Sequence, residues 1–173
     1  MTALQLNDIC LARQRIEALV RRTPMEYSPS LSRRLGVAVY LKLESWQITG
    51  SFKLRGASNA VAQLSAEQKV RGVVAASTGN HGRALAYAAS RQGVKATICL
   101  SHLVPANKVQ AIRDLGAEVC IVGQSQDDAQ REAERIAREQ GATLLPPFDH
   151  PAIIAGQGTL GLEILEQQPD VAQ

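Results

Sequence analysis

From residue 72 onward the sequence repeats one pattern: a short apolar run, then a longer amphipathic segment closed by glycine. GVVAAS at 72–77 precedes HGRALAYAASRQG, which stops at Gly93. KATICL at 95–100 precedes PANKVQAIRDLG, entered at Pro105 and stopped at Gly116. AEVCIV at 117–122 precedes SQDDAQREAERIAREQG, entered at Ser125 and stopped at Gly141. ATLLP at 142–146 is the fourth run, and a helical segment follows Pro151. Strands that alternate with glycine-stopped helices predict βαβ units with right-handed crossovers and a parallel sheet. The apolar residues are mostly Ala, Leu, Val and Ile, with only 3% aromatics. That mix suits strands buried under helices and not a base-stacking surface.

The first 71 residues do not follow this pattern. Asn7 or Asp8 can cap a helix running to about Val20. RRTPMEYSPSLSRRLG is a Pro- and Ser-marked connection with a short helical turn, closed by Gly36. VAVYLKLE at 37–44 alternates and predicts a strand. FKLRGASNAVAQL has helical spacing at Leu54, Ala57, Ala60, Val61 and Leu64. These pieces flank a compact α/β unit at about 72–147 and are expected to belong to a larger one, residues 1–71 with a return at 148–173.

Several functional classes lack support. Net charge is +3 and the basic residues are scattered, Arg21-Arg22 and Arg33-Arg34 being only pairs, so no nucleic-acid or membrane stripe is expected. Cys10, Cys99 and Cys120 are far apart and lack metal-ligand spacing, as do His81, His102 and His150. The N-terminus carries Asp8, Arg13, Arg15 and Glu17, which reads as an amphipathic helix and not a signal peptide. A cytoplasmic protein without a metal is expected.

Two stretches carry polar chemistry. In AASTGNHGRALAYAA a buried strand runs into Ser77-Thr78-Gly79-Asn80-His81 and then a helix. The backbone amides there can receive a carboxylate or phosphate; equally, the stretch can be a capped helix start. In SWQITGSFKLRGA, Lys53 stands where a helix begins, behind Thr49, Ser51 and Phe52. It is either a surface lysine or a nucleophile, since a helix N-terminus disfavours a cation and only a neutral amine attacks a carbonyl.

Together, TGSFKLRGA and STGNHGRALAYAA resemble the fold-type II pyridoxal-phosphate enzymes of the threonine/serine dehydratase and serine racemase group. LVPANKVQAIRDLGAEV at 103–119 and PPFDHPAIIAGQGTLGLEI at 146–164 extend the resemblance, which runs from about residue 10 to the end. The wording around STGNHGRALAYAA and LVPANKV is most similar to the hydroxyectoine-utilization dehydratase subgroup. The resemblance implies an open parallel sheet in a three-layer αβα, tryptophan synthase β-like fold. It implies pyridoxal 5'-phosphate as cofactor, a small hydroxy amino acid as substrate and a homodimer at full length.

By the resemblance, Lys53 bonds covalently to the cofactor and acts as general base. Phe52 flanks the pyridine ring and Asn80 meets its phenolic oxygen. Ser77, Thr78, Gly79 and His81 hold the substrate carboxylate. The implied reaction eliminates a β-hydroxyl and yields a 2-oxo acid and ammonia; a serine racemase or β-replacement enzyme shares the scaffold. Ile48 stands where the family often has Pro, and Gly82-Arg83-Ala84 where many threonine dehydratases have Ala-Gln-Gly. That turn approaches the substrate, so threonine, serine and an ectoine-derived hydroxy amino acid all stay open. The family's glycine-rich phosphate loop corresponds to sequence beyond residue 173, so these residues are expected to be an N-terminal half that is catalytically inert alone and binds the cofactor poorly; a non-catalytic fragment that only binds is the alternative.

Overall fold

The computed structural model describes residues 4–77 and 79–171. Four strands, β3 (Val73–Ala76), β4 (Ala96–Leu100), β5 (Glu118–Ile121) and β6 (Thr143–Leu144), form a parallel sheet in the order β5-β4-β3-β6. The register pairs Val73 with Ala96 and with Thr143, and Thr97 with Glu118. Helix α5 (Asn80–Arg91) joins β3 to β4, α6 (Ala106–Arg113) joins β4 to β5, and α7 (Gln126–Gln140) joins β5 to β6.

Alternation along the strands sorts side chains between two cores. Val73, Ala75, Ala96, Ile98 and Leu100 pack with Ala84, Leu85 and Ala88 of α5 and with Val109 and Ile112 of α6. Val74, Ala76 and Cys99 face the other way, onto Ala129, Ala133 and Ile136 of α7. The result is the expected three-layer arrangement. Ser125 caps α7 by accepting from the Asp128 amide, and Gly141 ends it at φ 69°, a left-handed conformation that costs glycine little.

The N-terminal part holds α1 (Leu6–Ile16), α2 (Pro29–Leu35), α3 (Lys53–Ala62) and α4 (Ala66–Arg71). The strand expected at 37–44 is shorter, β2 (Tyr40–Lys42), and pairs antiparallel with β1 (Met25–Tyr27) in a sheet of its own. The first helix ends at Ile16 rather than near Val20, because the chain tightens there: the Leu19 and Val20 amides both return to the Ile16 carbonyl. The last helix, α8 (Pro151–Gln167), crosses α3 where Gly156 meets Gly56. A Cβ on Gly156 would lie 2.6 Å from the Arg55 carbonyl oxygen and the Gly56 Cα. Leu54, Ala57, Val61 and Ile153 join the α5 core, so α3 is held between α5 and α8. Among the described residues no helix is long and apolar enough to cross a membrane.

Candidate active site

Lys53 is the first residue of α3, with Phe52 at the N-cap. The turn before it is fixed at both ends. The Gly50 amide donates to the Gln47 carbonyl at 2.8 Å, with Gly50 at φ 77°. The Gln47 amide group exchanges two bonds of 2.9 Å with the Arg21 backbone. Lys53 is half-buried; its Nζ donates to the Pro147 carbonyl at 2.6 Å and stands 5.4 Å from the centroid of the Phe52 ring. The neighbouring Thr49 and Ser51 are only 1% and 7% exposed, and their hydroxyls have no partner among the described residues.

The mouth of α5 lies at the end of β3. Ser77 Oγ accepts from the Gly82 amide at 3.0 Å and from the Gly79 amide at 3.5 Å. The Asn80 and His81 amides open α5 with no partner among the described residues. A Cβ built on Gly79 would meet nothing within 4 Å, so the space before the mouth is open. Asn80 is exposed there, whereas Thr78 lies outside the described residues.

His81 is turned inward. Its side chain is buried, and Nε2 donates to the Leu145 carbonyl at 2.9 Å, while Nδ1 is buried without a partner among the described residues. Burial pushes its pKa down to about 4; the Leu145 carbonyl opposes the shift and the Lys53 ammonium adds to it. The imidazole is therefore neutral near pH 7, and only the backbone amide of His81 can face the mouth. The sign of the pH dependence follows. The unfolded chain, with a histidine near 6.5, binds this proton before the folded one does. Stability is full above pH 6.5 and is expected to fall by on the order of 3 kcal/mol as pH drops from 6.5 toward 4. Denaturant titrations across that range should give a shallower slope for His81→Asn than for the wild type; equal slopes would contradict the buried neutral imidazole.

The two stretches meet through the segment after β6. The Leu145 carbonyl holds His81 of α5 and the Pro147 carbonyl holds Lys53 of α3. Beside them the carboxyl edge of the sheet forms an open depression of about 420 Å³ lined by Ser77, Ser101, Leu103, Gln124, Gln126 and Pro147, among others. Ligands of open α/β sheets bind at such edges. A second cavity of about 380 Å³ lies between α1 and α8, against Arg13, Glu17, Arg55 and Glu166, and is lined by neither Lys53 nor the residues at the mouth of α5.

One group at the site was not singled out from the sequence. Arg55, two residues after Lys53, is 1% exposed. It donates to Glu44 at 2.8 and 3.0 Å and to Glu163 at 2.7 and 3.0 Å. Lys42 also donates to Glu163, at 2.7 Å. Burial opposes the Arg55 charge, but the bonds and charges of Glu44 and Glu163 outweigh it and raise its pKa. Burial likewise works against the Glu163 carboxylate, and Arg55 and Lys42 nevertheless hold its pKa below the ordinary value. The network locks the base of α3 to the segment before Lys53 and to α8. The signal in the sequence was an arginine amid Leu54, Gly56 and Ala57 on a helix whose other positions, Lys53 and Asn59 apart, are small or apolar.

These residues fit a pyridoxal ring. An amine is available for its aldehyde, an aromatic side chain lies beside that amine, and unpartnered hydroxyls and amides can meet its oxygens or an anionic substrate. The sequence profile of the family described as "Pyridoxal-phosphate dependent enzyme" matches residues 16–173. A Sinorhizobium fredii protein, named provisionally as a threonine dehydratase, is 62% identical over 172 residues, 99% of this chain and 52% of its own length. The L-threonine ammonia-lyase of Thermotoga maritima is 47% identical, over 97% of this chain and 42% of its own. The structure of maize serine racemase superposes with a TM-score of 0.94 at 37% identity, over 98% of this chain and 51% of that one. The chain belongs to the pyridoxal-phosphate dependent enzyme family, and its fold is fold-type II. It spans about half the length of the curated relatives it matches.

Proposed function

We propose that the protein carrying this chain is a pyridoxal-phosphate dependent dehydratase that removes ammonia from a small β-hydroxy amino acid and leaves a 2-oxo acid. The observation that carries the reading is the convergence of Lys53 Nζ and the open mouth of α5 on the segment from Leu145 to Pro147. Sequence identity to threonine ammonia-lyases supports the reaction type.

Lys53 is assigned as the covalent tether of the cofactor and as the base that takes the Cα proton. Leaving the Pro147 carbonyl frees its nitrogen for both roles. Phe52 lies against the ring and Asn80 meets its phenolic oxygen. The Ser77 hydroxyl and the amides of Thr78, Gly79 and His81 receive the substrate carboxylate. When bound, the cofactor supplies an electron sink for the pair left by the departing proton. His81, neutral and turned inward, adds no charge of its own beside Lys53.

The reading extends to a cytoplasmic homodimer whose residues 72–147 form a small domain against a larger one contributed by 1–71 and 148–173. A hydroxyectoine-derived substrate belongs to the same proposal. Serine racemisation is the second reading, favoured by the close superposition on maize serine racemase. Incubation with L-threonine and with L-serine separates them. Stoichiometric ammonia and 2-oxo acid are expected; conversion of L-serine to D-serine without ammonia would establish the racemase instead.

A further inference from the structure

Among the described residues only two arginines are not exposed: Arg55 is buried and Arg83 is half-buried. Arg55 is bracketed by two carboxylates. Arg83 has no acidic partner among the described residues, and its Nε is buried without any hydrogen-bond acceptor. A buried guanidinium nitrogen left without an acceptor is costly, and an anion reaching the group would relieve that cost. Its location indicates which anion. Arg83 lies in the first turn of α5, its amide bonded to the Gly79 carbonyl at 3.3 Å. Its Nη1 lies 3.9 Å from the point where a Cβ on Gly50 would stand. The guanidinium therefore spans from the mouth of α5 to the turn that leads into Lys53. That turn holds the Thr49 and Ser51 hydroxyls, which are buried and also unpartnered. Donors accumulate here, a formal positive charge is among them, and no carboxylate among the described residues pairs with it.

We propose that Arg83 is a substrate-binding residue that grips a carboxylate of the amino-acid substrate through its guanidinium. The proposal rests on the dehydratase reading and deepens it: the amides of α5 offer a carboxylate neutral donors, and Arg83 adds the charge and a planar two-pronged geometry. The carboxylate is either the one common to all amino acids or a second one on the side chain.

The test compares wild type, Arg83→Gln and Arg83→Lys with threonine and with 3-hydroxyaspartate, which carries a side-chain carboxylate. KM is expected to rise about 10- to 100-fold in Arg83→Gln, with kcat changed far less and Arg83→Lys intermediate. A rise for both substrates assigns the common carboxylate, and a rise for 3-hydroxyaspartate alone assigns the side-chain one. KM values within twofold of wild type for both overturn the proposal. Should the wild type turn over neither amino acid, the dehydratase reading fails, and calorimetric titration with succinate decides on Arg83 separately. Binding by wild type that is lost in Arg83→Gln sustains it; equal binding, or none by wild type, overturns it.

Discussion

Lys53→Ala, in the protein that carries this chain, is expected to lower kcat by about 100- to 10,000-fold or more and to remove the visible absorbance of bound cofactor. The expectation follows from the position of one atom. Lys53 Nζ stands between the Phe52 ring and the Pro147 carbonyl, at the start of a helix that two other helices hold in place. The other lysines are placed differently: Lys42 is committed to Glu163, Lys95 pairs with Glu118 at the surface, and Lys69 and Lys108 stand on α4 and α6. Folding should hardly suffer. The substitution removes one hydrogen bond from a half-buried side chain, worth about 0.5–1.5 kcal/mol. Loss of activity with a thermal midpoint lowered by only a few degrees is the predicted signature. A midpoint that collapses along with activity would show that Lys53 is structural.

Arg55→Leu should show the reverse balance. Removing the guanidinium leaves Glu44 and Glu163 facing one another across the buried base of α3, with Lys42 and Thr23 as their remaining partners. Breaking a buried ionic network from one side costs about 3–5 kcal/mol. For a chain of this size that lowers the midpoint by on the order of 10 °C. Activity at low temperature should fall as well, since Arg55 fixes the helix that presents Lys53. A loss below about 1 kcal/mol would mean that the network is worth no more than a surface ion pair.

The sheet was legible because buried parallel strands read as unbroken apolar runs, and because Gly93, Gly116 and Gly141 end the intervening segments at positive φ. The strand order β5-β4-β3-β6 was not, since it depends on which strands meet in space. Strand β1 was hidden in a Pro- and Ser-rich stretch: three residues gain their extended form from pairing with Lys42, Leu41 and Tyr40, contacts no local window contains. Helix α4 carries a local signal, the reciprocal cap between Ser65 and Gln68, but its six residues are too few to show an apolar period. At the candidate site, Lys53 and the Ser77–His81 turn stood out separately. Their meeting through the Leu145 and Pro147 carbonyls is a tertiary fact. So is the contrast between Arg55 and Arg83, two arginines on helices whose sequences do not announce that one is paired and the other is not.

The identity of the cofactor-bearing lysine tests the account most directly. Load the protein that carries this chain with pyridoxal phosphate, reduce it with borohydride, digest it and locate the pyridoxyl group by mass spectrometry. The account predicts the group on Lys53, in the peptide containing Gly50-Ser51-Phe52, and its loss in Lys53→Ala. A pyridoxyl group on any other lysine, with Lys53 unmodified, would contradict it.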